Sequence, residues 1–397
     1  MNAEPSADRP LAGIRVIELA RVLAGPWAGQ MLADLGADVI KVEHPDGGDE
    51  TRGWGPPFIT GADGNPLSAA YFHAANRGKR SVAVDFKTPE GQATVRRLAA
   101  TADVVIENFK VGGLAKHGLD HASLSALNRR LVTCSITGFG QTGPYRDRPG
   151  YDFIIQGMAG FMSVTGEPDR QPMKAGVAIA DIFSGVYAVA AIEAALIGAL
   201  KTGRGRHIDI ALMDVMLAAM ANQNMNFLAT GTPPNRLGNA HPNIAPYQVI
   251  ETADGFVIIA VGNDGQFARL CGMLGLDDLP AVPRFATNRT RVENRAALTG
   301  LLAGKTRRWR RDDLVAACEK ANVPTGPINT IADAFADPQI IARGMRVDLP
   351  DAAGNPIASV RMPVMMDGLP LCADRPSPRL GEHTDEVLAE LEAIETA

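Results

Sequence analysis

Cysteine is scarce and unclustered in this chain. Its four thiols, Cys134, Cys271, Cys318 and Cys372, are scattered over 397 residues without a CxxC pair. That spacing offers neither a disulfide framework nor a zinc cluster, and it suits reduced thiols in a cytoplasm. The seven histidines form no HxxxH or His/Cys group, so no metal site is expected. Excess charge of one sign is also missing. A net charge of −5 gives no reason to expect nucleic acid or an anionic membrane as partner. The longest apolar stretch, Ile182 to Leu200, is interrupted by Ser184, Gly185 and Glu193 and reads as a buried helix instead of a membrane span. The first ten residues hold Glu4 and Asp8 and no apolar core, which predicts a short disordered lead-in and no signal or transit peptide.

Two phosphate-binding signatures are absent as well. The first apolar run is followed by Arg21-Val22-Leu23-Ala24-Gly25-Pro26 where a dinucleotide fold would carry GxGxxG, and no GxxxxGK[ST] occurs. A dehydrogenase or kinase reading loses its main support.

What is present describes a soluble globular chain, 46% hydrophobic and 21% charged, long enough for more than one domain. Residues 14–20 read as a buried strand, about 27–35 as a helix closed by Gly36, and 39–42 as the next strand, a β-α-β unit. The alternation continues with strand 81–86, helix 89–101, strand 104–107, a short helix near Leu114 and strand 131–137. Thr88 and Pro89 supply an N-cap and an N1 proline. The fold class is therefore α/β, with a large doubly wound parallel-sheet domain. A Met-rich helical stretch (Met213, Met216, Met220, Met225) reads as core packing. Pro- and Gly-rich residues 230–246 mark a boundary, and a smaller α+β domain follows, with strand 256–261 and helices near 266–274 and 312–321. The expected division is 1–225, 226–330 and 331–397.

One carboxylate stands out. In Lys174-Ala175-Gly176-Val177-Ala178-Ile179-Ala180-Asp181 a strand-like apolar run ends at Asp181, and an Ala-rich helix follows to Leu200. Taken alone, this is where a helix N-cap sits.

The order of short blocks gives Asp181 a second meaning. Leu11-Ala12-Gly13, Leu35-Gly36-Ala37-Asp38-Val39, Asn76-Arg77-Gly78-Lys79-Arg80, Thr88-Pro89-Glu90-Gly91, Glu107-Asn108-Phe109, Thr137-Gly138-Phe139-Gly140, Gly203-Arg204-Gly205 and Leu380-Gly381-Glu382-His383-Thr384 follow one another along the chain. In this order they resemble the class III CoA-transferases, the formyl-CoA and carnitine CoA-transferase family, from about residue 10 to 390. The resemblance implies that Asp181 is the nucleophile. It implies CoA contacts at Val22, Ala24, His44, Arg80, Val84, Lys87, Asn108, Phe109, Lys116 and Tyr151. It also implies a C-terminal return to the large domain and an interlocked homodimer. Surface charge is the competing reading for Arg80, Lys87 and Lys116. His44 departs from an arginine, and Leu23 from a glutamine beside the thioester in the formyl-CoA enzyme.

The resemblance sets the expected chemistry: CoA passes from an acyl-CoA donor such as succinyl-CoA to a small carboxylic or dicarboxylic acid, through aspartyl anhydride and aspartyl-CoA thioester. CoA thioesters are substrates, and no tightly bound cofactor is expected. An aspartate at a helix N-terminus is expected to stay anionic. In place of the glycine run of formyl-CoA enzymes stands Arg236-Leu237-Gly238-Asn239-Ala240-His241-Pro242-Asn243, closer to relatives that use dicarboxylic acids. Arg236 and His241 could pair with a distal carboxylate, with Asn239 and the Gly238 backbone beside them; a purely loop-shaping role is the alternative. The rival activity is α-methylacyl-CoA racemase, in which a histidine of a Gly-His-Asp sequence partners the aspartate. Here the matching segment is Gly150-Tyr151-Asp152, and tyrosine, with a solution pKa near ~10, is a poor base. A third reading, a non-catalytic CoA-binding scaffold, is disfavoured by the intact Asp181 motif.

Overall fold

The computed structural model of the protein describes residues 9–61 and 64–396. The expected lead-in lies outside the described residues as far as Asp8. Arg9, by contrast, is buried and ion-paired with Asp374.

The chain opens with β1 (Arg15–Glu18), α1 (Ala24–Asp34) and β2 (Asp38–Glu43). A hairpin of β3 (Phe58–Thr60) and β4 (Pro66–Ala69) and a single turn, α2 (Ala70–His73), lead to β5 (Arg80–Ala83). Then follow α3 (Pro89–Ala100), β6 (Val104–Glu107), α4 (His121–Leu127), β7 (Val132–Thr137), α5 (Asp152–Met158), α6 (Ile179–Thr202), β8 (His207–Ala211), α7 (Leu212–Ala219) and α8 (Ala221–Thr230). Six strands form one sheet in the order β5-β2-β1-β6-β7-β8, with every neighbouring pair parallel. Val16 stands opposite Val39 on one side and Val104 on the other. Both faces of the central strands are covered, so these strands read as apolar runs without alternation. Gly36, at φ 102, closes α1, and the Thr88 hydroxyl accepts from the Gly91 amide at 3.1 Å to start α3.

Helix α6 is the long apolar element. Its buried positions, Ala180, Ser184, Ala188, Ile192, Ala195 and Ala199, recur every three or four residues and pack on α1, α7 and β7. A side chain at Gly185 would put its Cβ 2.9 Å from the Ala24 carbonyl, so only glycine allows α6 to lie this close to α1. By length and composition α6 could cross a membrane, but this face is part of the sheet's core. The Met stripe is corrected: the helix breaks at Met220–Ala221, where Ala221 has φ 41, so Met216 is core while Met225 is exposed.

A second compact unit comprises residues 226–337 together with 162–173. Its antiparallel sheet, β9 (Tyr247–Thr252), β10 (Gly255–Ala260) and β11 (Thr325–Pro327), packs with α9 (Asp264–Met273), α10 (Asn288–Glu293), α11 (Arg295–Thr306) and α12 (Arg311–Lys320) around Val257, Ile259, Phe267, Leu302 and Leu314. α13 (Ile331–Ala336) belongs to this unit, which therefore ends at Asp337, beyond the boundary expected at 330. The 162–173 segment joins through hydrogen bonds such as Gly238 N to Gly166 O, 3.0 Å, a long-range pairing that composition along the chain does not reveal.

Residues 338–396 are grouped with the first unit. They hold α14 (Pro338–Ala342), the hairpins β12 (Arg346–Pro350)–β13 (Pro356–Val360) and β14 (Met365–Met366)–β15 (Leu369–Pro370), and α15 (Thr384–Thr396). The Gly381-Glu382-His383-Thr384 block caps β5: His383 N donates to Ser81 O at 2.9 Å, and the Thr384 hydroxyl accepts from Ala83 N at 3.0 Å.

Candidate active site

The sheet reverses its winding between β1 and β6, and the loops at the carboxyl ends of these strands diverge to leave a crevice. Asn108, just after β6, bridges it: its Oδ1 accepts from Arg21 N at 2.9 Å and its Nδ2 donates to Arg21 O at 2.6 Å. The resulting cleft of about 460 Å³ is lined by Val22, Ala24, Lys87, Asn108, Phe109, Lys116, Tyr151 and Asp181, eight of the residues singled out in the sequence. Gly138 and Gly150 lie in its wall, so close that a Cβ on either would come within 2.5 Å of the other's Cα.

Three expected CoA contacts do not line this cleft. Arg80 lies in a separate recess, where its guanidinium is bonded to Asp38, Glu386 and Glu390 at 2.6 to 3.1 Å and its charge is neutralised. Val84 packs into the hydrophobic core beside β5, and His44 faces Asp85 at 3.5 Å while its Nδ1 accepts from the Asp46 amide. Cations that the sequence reading passed over take their place: Arg21, Lys110, Arg146 and Arg148 line the cleft. The closely spaced Arg146 and Arg148, just ahead of Gly150, were the available signal. Among the described residues no carboxylate pairs with Lys87, Lys110 or Lys116, so the cleft offers uncompensated positive charge to an anionic ligand.

Asp181 is the third residue of α6. The segment before it is irregular and Ala178 takes the cap position, so Asp181 is neither at a strand end nor an N-cap. Among the described residues no donor reaches its carboxylate. Burial pushes its pKa up to about 7, and the Asp152 carboxylate pushes in the same direction. The expectation of a firmly anionic aspartate is overturned because desolvation and like charge outweigh the helix terminus. Asp152, the first residue of α5, accepts from Ala180 N at 2.8 Å and from Gln156 Nε2 at 2.7 Å; Gln156 Oε1 in turn accepts from Ala175 N. This pair fixes the irregular approach to α6 and supplies the neighbouring charge. Tyr71 of α2, unmarked by any sequence signal, senses both carboxylates: burial first, then Asp181 and Asp152, push its phenol up to about 12. Its ring meets Trp54 edge-on at 5.3 Å.

The 236–243 segment belongs to the second unit. Arg236 donates to the carbonyls of Glu167, Pro168 and Arg170 at 3.0 to 3.2 Å. Gly238 has φ 59, and the Glu167 carboxylate lies 2.9 Å from where its Cβ would be. Asn239 completes the turn. His241 Nδ1 accepts from Asn243 N at 3.0 Å, and burial, then Arg295, lowers its pKa. Arg236 and His241 are thus engaged in shaping the loop, the second of the two roles open from sequence.

Among the described residues no group of three or more His, Cys, Asp or Glu could hold a metal ion. The family model for CoA-transferase family III matches residues 11–384. The chain is 64% identical over 395 residues to a succinate–glutarate CoA-transferase of Agrobacterium fabrum, covering 100% of this chain and 99% of that protein. It is 38% identical to the human succinyl-CoA:glutarate CoA-transferase, covering 98% and 89%. A crystal structure of a CAIB/BAIF family protein from Brucella suis superposes with a TM-score of 0.86 at 60% identity, over 96% of this chain and 99% of that one. With a half-buried aspartate that no donor among the described residues reaches, beside a cationic cleft at the sheet's switch point, the chain belongs to the CoA-transferase family III and is a CoA-transferring enzyme.

Proposed function

We propose that this enzyme moves CoA from succinyl-CoA to a small dicarboxylic acid, glutarate first among them, with Asp181 as nucleophile. The observation that carries the reading is the Asp181 carboxylate, open to the cleft and bound by no donor among the described residues, beside Lys87, Lys110 and Lys116, with which no described carboxylate pairs. The printed activities of the relatives supply the substrate pair. The lysines, with Arg146 and Arg148, take the CoA phosphates, and Phe109 offers an apolar wall.

In the first step an Asp181 oxygen attacks the thioester carbon, the C–S bond breaks, and CoA leaves as thiolate from a mixed anhydride. The thiolate then attacks the aspartyl carbonyl carbon, expelling the donor carboxylate and leaving aspartyl-CoA. The acceptor carboxylate attacks that carbon and releases thiolate again. Finally the thiolate attacks the acceptor's acyl carbon, and Asp181 is freed as carboxylate. No net redox change occurs, and no proton is consumed. Backbone N–H groups at the start of α1, where Ala24 lines the cleft, are the donors we assign to the tetrahedral oxyanion.

The exposed apolar face of α6, including Phe183, Tyr187 and Ile197, supports a homodimer, which we take to be the interlocked form. Four buried free thiols suit a cytoplasmic setting.

The test is mass spectrometry in deuterated buffer, with succinyl-CoA and a panel of mono- and dicarboxylic acids, 2-methylacyl-CoA in a parallel reaction, and Asp181→Ala as control. New acyl-CoA products that vanish in the variant are expected. Deuterium at the α-carbon of 2-methylacyl-CoA without CoA transfer would establish a racemase instead.

A further inference from the structure

Val22 has φ 71, a left-handed backbone that a β-branched residue avoids. It lines the cleft with Asp181, so the strain lies at the reacting end of the site. Nothing in Val22 itself favours this conformation; the hold comes from behind it. The amide of Val22 donates to both carboxylate oxygens of Asp49, at 3.2 and 3.3 Å. Asp49 is itself fixed on every side. Its Oδ1 accepts from Thr51 N at 3.0 Å and Thr51 Oγ1 at 2.8 Å, its own amide donates to Glu43 Oε2 at 3.0 Å, and its Oδ2 pairs with Lys41 Nζ at 3.0 Å. Lys41, on β2, also donates to the Ala20 carbonyl and to Glu18 Oε1, each at 2.8 Å. One ammonium therefore grips the β1–α1 turn directly at Ala20 and, through Asp49, at Val22. Both side chains are wholly buried, and neither residue lines the cleft.

We propose that the Asp49–Lys41 pair is a positioning device: Asp49 captures the Val22 amide, holds that residue left-handed, and so fixes the first peptides of α1 against Asp181, governing turnover and not CoA affinity. Burial opposes the charge on Asp49, but Lys41 and the Thr51 bonds outweigh it and keep the carboxyl below its ordinary range, so the acceptor stays ionised through neutral pH. The inference rests on the CoA-transfer reading for its catalytic part only.

The experiment compares Asp49→Asn in two backgrounds, wild type and Val22→Gly. Glycine takes φ > 0 without strain, so it needs no captor. In the valine background Asp49→Asn is expected to lower kcat by about tenfold or more, with KM for the acyl-CoA changed far less. In the glycine background the same substitution is expected to cost less than about threefold. Equal losses in both backgrounds, or a loss confined to KM, would overturn the proposal. Amide hydrogen exchange of the 19–26 segment gives a readout that needs no activity: Asp49→Asn should speed exchange at Val22, and unchanged protection would also overturn it. Should Asp49→Asn not fold, Asp49→Glu, which keeps the charge and displaces it by one methylene, carries the same comparison. If wild type transfers no CoA, the functional reading fails, while the exchange result still decides whether Asp49 holds the turn.

Discussion

Asp181 is held in a state that favours reaction over stability. A carboxyl raised from its ordinary value of 3.8 to about 7 on folding stabilises the fold only while it is protonated. That contribution is complete below the unfolded value and is lost as pH rises through about 7. Asp181→Asn, which is always neutral, should therefore melt higher than wild type at pH 8, by an increment on the order of 2–4 kcal/mol, with the gap closing as pH falls toward 4. On the proposed mechanism turnover should run the other way, with kcat/KM of wild type rising through about pH 7 as the Asp181 carboxyl ionises, and the Asn variant inactive while still binding CoA. Paired melting curves and a pH–rate profile check both signs; an Asn variant less stable than wild type at pH 8 would show that burial does not strain this carboxyl. Arg236 belongs at this scale too. Because its guanidinium is spent on three carbonyls, Arg236→Ala should weaken mono- and dicarboxylate acceptors alike, by a loosened loop. A KM rise confined to dicarboxylates in steady-state assays would restore it as a substrate contact.

At the scale of elements, the close approach of α1 and α6 sets the distance between the strained turn at Val22 and the carboxyl group of Asp181. Gly185→Val would drive a Cβ to 2.9 Å from the Ala24 carbonyl and from Trp27, neither of which can yield without moving α1. A loss of about 2–3 kcal/mol of stability is expected, with kcat falling further than the melting temperature explains; denaturant unfolding and steady-state kinetics would measure both. The elements themselves were largely legible. The first five sheet strands, α1 and α3 follow from apolar runs bounded by Gly36, Thr88 and Pro89, because buried parallel strands and capped helices write their pattern locally. What stayed hidden was non-local. β8, with its alternating His207-Ile208-Asp209-Ile210, gives a weak edge-strand signal, and the hairpin ahead of α2, the turn that holds Tyr71, has little apolar pattern of its own. Arg80 looked like a phosphate ligand because sequence shows its charge and not the Asp38, Glu386 and Glu390 around it.

For the whole molecule the decisive surface is the outer face of α6. Phe183, Val186, Tyr187, Ala190, Ala194, Ile197 and Leu200 share one side of the helix and all are exposed, with the half-buried Glu193 among them. A solvated helix face is normally polar, so this one calls for a second helix across it. In a homodimer that helix comes from the other copy. Light scattering should then give twice the 42.0 kDa chain mass. Replacing Ile197 and Leu200 by glutamate should prevent assembly, because two carboxylates would be buried without partners. An interlocked pair makes a stronger demand: subunits threaded through each other cannot separate while folded. Mixed tagged and untagged enzyme should exchange no subunits over days in native buffer, and should exchange readily after unfolding and refolding together. Free exchange without unfolding would leave the dimer standing and remove the interlock, whereas a wild-type mass of one chain would remove both.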